Sequence, residues 1–424
     1  MEDFSPGTVE IAAVVLFAIA VLHTFSTRRF EHLAHLYPRH AGLWHLLAEV
    51  EVVFGFWAMI LLVFIALHLN TGAALNYLES RNFTEPAFVL VILVIASSRP
   101  VISLASTVLQ LLARLLPLNQ PTAYYFTLLS VGPLLGSFIT EPAAMTLAAL
   151  LLRERYLTRK APQFFMYVTV GVLFVNVSIG GTLTPFAAPP VLMVAEGWGW
   201  DFPFMLRTFG WKAALAVAVN AAGAAYAFRG YLRAQPEAAA ESVRLDLPIW
   251  VAAVHVAFLS IVVVFSHHPV VFGAVFLFFL GFTEAYKRYQ TRLLLREGLL
   301  VAFFLAGLVV LGGQQKWWLQ PLLADMDPNT LFVGATLLTA ITDNAALTYL
   351  GSLVEGVSDQ FKYSLVAGAV TGGGLTVIAN APNPAGFAIL KGNFEEGAIS
   401  PSGLAAAATL PTLVAAAAFL LLPG

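Results

Sequence analysis

Two acids sit in near copies of one phrase. ITEPAAMTLAALL (residues 139–151) carries Glu141, and ITDNAALTYLGSL (residues 341–353) carries Asp343, each just after an Ile-Thr pair in an otherwise apolar stretch. A carboxylate at membrane depth costs about 2.5 to 3.5 kcal/mol on insertion scales, so each acid should be protonated or paired with a cation. Those two states exclude one another. A site that holds either a proton or a cation, opened alternately to each side, would exchange one for the other.

A second pair of phrases follows the first. SIGGTLTPFAAPPV (178–191) and VTGGGLTVIANAPN (370–383) align without gaps, matching Gly180, Gly181, Leu183, Thr184, Ala187 and Pro190 to Gly372, Gly373, Leu375, Thr376, Ala379 and Pro382. Gly pairs and Pro residues inside a spanning helix unwind it and free backbone groups that lipid cannot satisfy. Unwound segments at 181–185 and 373–380, each facing an acidic phrase, would offer carbonyl oxygens, Thr hydroxyls and a carboxylate. Hard alkali cations take that oxygen set. Thr140, Glu141, Thr146, Thr184 and Gly181 are expected to build one half-site. Thr342, Asp343, Asn344, Thr348, Gly373, Thr376, Asn380 and Asn383 are expected to build the other. The second half is richer in amides, which places the better cation site, Na+ at Asp343, Asn344 and Asn380, there. Asp343 ranks first as the proton-coupled ligand and Glu141 second. The plain alternative is that both acids only cap helices, since Asp and Thr favour that position, and that Asn380 and Asn383 only satisfy freed backbone.

The elements that must hold these residues are membrane helices. The chain has 424 residues, 59% of them hydrophobic and 11% charged, which excludes a soluble globular protein. Apolar runs of roughly 18 to 25 residues recur along its length, each long enough to cross the hydrocarbon. About ten spans are expected, near residues 8–27, 43–69, 86–116, 164–195, 210–232, 247–266, 270–285, 298–311, 362–390 and 401–422. The two acidic phrases would form re-entrant hairpins at 122–152 and 327–356. Basic loops at 28–40, 153–160 and 287–296 all fall on the cytoplasmic side if the N-terminus is outside and both hairpins return to the side they enter from. The repeat units then have opposite orientations. This divides the chain into scaffold helices (1–83), a first repeat (84–233), a linker with further scaffold helices (234–296) and a second repeat (297–424). Interrupted segments at matching positions of two halves mark a transporter's midplane site.

At these residues the chain resembles the ion transporter superfamily, in particular its sodium/proton antiporter branch, a group that also holds divalent anion/sodium symporters and arsenite permeases. GGGLTVIANAPN is similar to that group's GGxxTxIGxxPN break, with Ala379 at a usual Gly, while GGTLTPFAAPPV matches more loosely and lacks the Asn. The resemblance implies cation sites at the hairpin tips and helix breaks, exchange of Na+, Li+ or K+ for H+, a homodimer, and a multi-pass protein of the plasma (inner) membrane. Anion symporters of the group show neutral tips, and here both tips carry an acid. Uptake of a small anion coupled to Na+ stays the alternative, with Arg99 as the anion's partner.

Other functional classes fit less well. Zero cysteines exclude disulfides and thiolate chemistry, and a net charge of −2 without a basic tract gives no reason to expect nucleic acid. No HExxH motif is present, so a metalloenzyme lacks its ligands, and neither an enzymatic role nor a cofactor is expected beyond the transported ions. His45 and Glu49 share a helical face, as a metal pair could, or as solvated groups at a span's end. The acidic start, MEDFSPGTVE, has no basic region before its first apolar run, which predicts no cleaved signal peptide.

Overall fold

The computed structural model describes residues 6–158, 161–236, 246–394 and 398–423. Every regular element among them is helical. Several helices begin alike, with a short polar side chain capping the first turn and a Pro just inside it. Asn119, Asp201, Asp327 and Ser400 accept from Thr122, Phe204, Thr330 and Gly403 amides, and Pro121, Pro203, Pro328 and Pro401 follow them. Pro is suited to that place because its missing N–H would have had no helical partner.

Among the described residues five helices are long and apolar enough to cross a membrane: Val50–His68, Gln120–Ile139, Gln163–Leu183, Leu295–Gly312 and Pro401–Leu421. The number rises to seven if two bent pairs each count as one span. One of them occupies the run expected over 86–116, where Thr84–Ala96 and Arg99–Leu115 meet at 65° across Ser97 and Ser98. Helices Ile249–Val264 and Pro269–Ala285 are apolar but shorter. The run expected over 43–69 is interrupted at Glu49, between Ala41–Ala48 and Val50–His68. Large side chains such as Val270 and Leu67, 85% and 82% exposed, point away from the protein. An outward apolar surface is what lipid covers, so the chain is an integral membrane protein.

Both acidic phrases break a helix. The Gln120–Ile139 run stops at Thr140, and Glu141–Arg155 folds back against Val131–Ile139. Thr140 has φ +72°, the only non-glycine positive φ among the described residues. That conformation is strained for a β-branched side chain and is the kind of outlier found at functional sites. In the second phrase Pro328–Thr339 ends, residues 340–343 turn, and Asn344–Ser352 begins.

The Gly/Pro phrases break helices as well. Gln163–Gly180 gives way to a short 3-10 turn and extended chain before Pro189–Trp198, and Asp359–Gly372 gives way to non-helical chain before Asn383–Leu390. The packing of the two halves is reciprocal. Gln163–Gly180 lies on its own Val131–Ile139, and Asp359–Gly372 on its own Pro328–Thr339. The distal pieces cross over, Pro189–Trp198 onto Asn344–Ser352 and Asn383–Leu390 onto Glu141–Arg155. Each broken helix thus spans both halves, and the four interruptions meet at one place.

The scaffold beside them depends on close backbone approach. Helices Val50–His68 and Leu295–Gly312 touch at Gly55 and Gly307, where a Cβ on Gly307 would collide with the Gly55 amide. Small residues allow such contact in membranes, where dispersion between packed helices replaces the hydrophobic drive.

Candidate functional site

Glu141 is fully buried, at 0% exposure. As the first residue of its helix it projects across to the other half, where Asn380 Nδ2 donates to its Oε2 at 2.8 Å. Its Oε1 has no hydrogen-bond partner. Gly181 makes room for that oxygen, since a methyl group there would overlap it. The carboxyl group of one half therefore rests between a Gly and an Asn, one from each broken helix.

Further unpartnered oxygens lie on or beside the same interruptions. Thr140 Oγ1, Asn344 Oδ1, Asn380 Oδ1, Asn383 Oδ1 and Thr339 Oγ1 are all buried and without a hydrogen-bond partner. The three Asn residues are tied to one another through chain 373–383. Asn383 Nδ2 donates to the Gly373 and Thr376 carbonyls at 2.7 and 2.8 Å, and the Asn344 amide N–H donates to the Ala379 carbonyl at 3.1 Å. The Asn344 side chain lies against Gly373, where a Cβ would stand 2.9 Å from its Nδ2. An unpaired buried polar atom costs about 1 to 3 kcal/mol, so a cluster of them marks a place built for something else to bind. Apart from Asn344 Nδ2, which is also unpartnered, these atoms are oxygens, one of them a carboxylate's, the donor type that hard monovalent cations require.

The expected residues divide into two groups. Thr140, Glu141, Gly181, Asn344, Gly373, Asn380 and Asn383 are brought together. The Thr hydroxyls are engaged with backbone: Thr184 donates to the Ser137 carbonyl (2.7 Å), Thr376 to Ala340 (2.8 Å), Thr342 to Leu338 (2.9 Å), and Thr348 to Asn344 and Ala345 (both 3.1 Å). Thr184 and Thr376 thereby pin each break to the neighbouring helical arm. Thr146 lies half-buried, five residues along the helix from Glu141. Asp343 is half-buried and its Oδ1 caps its own helix, accepting from the Ala345 and Ala346 amides at 2.8 and 3.1 Å. Of the amides expected around Asp343, Asn380 reaches Glu141 and Asn383 holds its own chain at Gly373 and Thr376.

Three residues outside the expected set also belong here. Ser137 accepts from the Leu183 amide (2.9 Å) and donates to the Gly180 carbonyl (2.7 Å), clamping the first break to its tip. Ser178 donates to the Val370 carbonyl at 2.7 Å and so joins the two broken helices. Thr339 aligns with Ser137 when the two acidic phrases are matched and the alignment is carried two residues upstream.

Arg99 lies elsewhere. It pairs with Asp246 at 2.9 Å, and Ser103 donates to the same carboxylate. The Ser103 hydroxyl and then the Arg99 guanidinium hold the Asp246 carboxyl below its usual range. A depressed carboxyl contributes stability above its unfolded-state value and loses it as pH falls through its folded one. Both side chains are substantially exposed, so the contribution is small and salt-screened. Asp246→Asn should slightly lower the melting midpoint at neutral pH, and that difference should vanish in acid below the usual carboxylate range. Glu49 pairs with Arg296 at 2.5 Å, and among the described residues no group of three His or acidic side chains converges for a transition metal.

An apolar helical chain that buries a carboxyl group and three side-chain amides at its helix breaks is an integral membrane protein with a polar interior site. The family described as "Putative Na+/H+ antiporter" matches residues 8–422, nearly the whole chain. The chain belongs to that family. A search of curated proteins found no match.

Proposed function

We propose that this protein exchanges Na+, or Li+ or K+, for H+ at the site around Glu141. The observation that carries the reading is Glu141 Oε1, a buried carboxyl oxygen without a partner among unpartnered Thr and Asn oxygens. In the protonated state Oε1 carries the proton and the carboxyl group is neutral in its dry surroundings. In the cation-loaded state the carboxylate balances the ion's charge, and Thr140, Asn344, Asn380 and Asn383 supply neutral oxygens. One oxygen cannot serve both, and that exclusion couples the two ions. Asp343, with one oxygen committed to its helix cap, takes the secondary part of a charge on the approach.

Alternating access is proposed to run through an inverted-topology repeat with two re-entrant hairpins. The reciprocal packing supports this: each distal half-helix rides on the other repeat's tip, so a rocking of one repeat would move both breaks together. The chain contains no cysteine, so single cysteines test the topology directly. Substitutions at His40 and Thr158, both exposed, should label with a membrane-impermeant thiol reagent from the cytoplasmic side, and labelling from opposite sides would refute the hairpin over 122–152. The Na+-coupled anion reading is disfavoured because Arg99 is engaged by Asp246.

Proteoliposomes with an acidic lumen and an internal pH dye provide the functional test. Adding Na+, Li+ or K+ should alkalinise the lumen. A silent response to all three, with Na+-dependent uptake of a labelled dicarboxylate, would replace exchange with symport.

A further inference from the structure

A cavity beside the proposed ion site has a different chemistry. It encloses about 400 Å3 between the first span, Val50–His68, Lys316–Leu323 and the second acidic phrase. That volume falls within the range of small-molecule pockets. Its walls are aliphatic and aromatic, with Phe17, Phe54, Phe304 and Trp318 among them. Among the described residues Asp343 is the only ionisable side chain that lines it. Both hydrogen bonds to Asp343 use Oδ1; Oδ2 accepts none among the described residues. One free carboxylate oxygen in an apolar, aromatic wall has no complement in the protein itself.

We propose that this cavity binds lipophilic monovalent cations, molecules with an apolar body and a single delocalised or quaternary positive charge. The body would fill the aliphatic space, the charge would face Asp343, and the aromatic rings would add cation–π attraction. An alkali ion does not suit the place, because apolar walls cannot replace its hydration shell. A lipid acyl chain would fill the volume but leave the carboxylate unmatched. This assignment is independent of what the Glu141 site carries.

The test uses two ions of nearly equal size and shape and opposite charge. Tritiated tetraphenylphosphonium should bind the purified protein saturably, and tetraphenylborate should not. Asp343→Asn keeps a helix-capping oxygen, since Asn caps about as well as Asp, and removes the charge, so affinity for the phosphonium should fall about tenfold or more. Gly334→Leu provides the second variant. Gly334 lines the cavity, and a Cβ there meets nothing within 4 Å, so a larger side chain has open space to enter. It should abolish saturable binding while the protein stays folded, as judged by an unchanged melting midpoint. Equal binding of both probes, or phosphonium binding untouched by either variant, would overturn the proposal and leave the cavity as a gap filled by lipid.

Discussion

Glu141→Gln is expected to abolish cation-dependent proton movement, by a factor of a hundred or more, with the protein still folded and inserted. The substitution is nearly isosteric and keeps an oxygen for the Asn380 amide to reach, so the contact between the two halves survives. What it removes is the charge that balances a cation and the oxygen that accepts a proton. Asn380→Ala should weaken exchange less, because it deletes a neutral ligand and one hydrogen bond and leaves the acid in place. Asp343→Asn should be milder than Glu141→Gln, since a capped, half-buried acid lies outside the cluster of unpartnered oxygens. Initial rates of dye response against cation concentration separate the three. If Asp343→Asn proved silent and Glu141→Gln active, the roles would have to be exchanged.

Gly307→Ala is expected to be among the most destabilising single changes in the chain. The added methyl would land on the Gly55 backbone, and a neighbouring backbone cannot swing aside as a side chain can. Overpacking in cores typically costs about 1 to 3 kcal/mol, and a backbone collision belongs at or above the top of that range. Gly223→Ala is the matched control. Gly223 lies within helix Trp211–Ala227, and its Cβ would meet nothing within 4 Å. There the exchange should be neutral or stabilising, because Ala loses less backbone freedom than Gly. Thermal aggregation of the detergent-solubilised variants reads both, and a Gly307→Ala midpoint equal to that of Gly223→Ala would contradict the packing described.

The breaks were legible in the sequence because they violate its dominant pattern. Gly180–Gly181, Gly372–Gly373 and the Thr-acid pairs interrupt apolar runs that otherwise continue, and the structure breaks helices at each of them. The proposed ranking, with Glu141 ahead of Asp343, does not follow from the sequence alone. Asp343 precedes its helix and is short enough to reach its own backbone amides, which a count of polar neighbours cannot reveal. Glu141 is one methylene longer, begins its helix, and follows a Thr in the left-handed region, so it is aimed outward across Gly181. Its partner Asn380 is 239 residues away, and no local periodicity encodes that meeting. The run expected as one span over 86–116 carries two Ser residues and a Pro where the structure bends it, between Ala96 and Arg99.

The central claim is that one carboxyl group, on Glu141, holds either a proton or a cation. The most direct measurement is the pH change when NaCl is added to the purified protein in weak buffer, at a pH where the site is protonated. Cation binding to a ligand that must first deprotonate should release about one proton per chain, with choline chloride and the Glu141→Gln variant releasing none. Sodium binding without proton release, or release undiminished in Glu141→Gln, would contradict it.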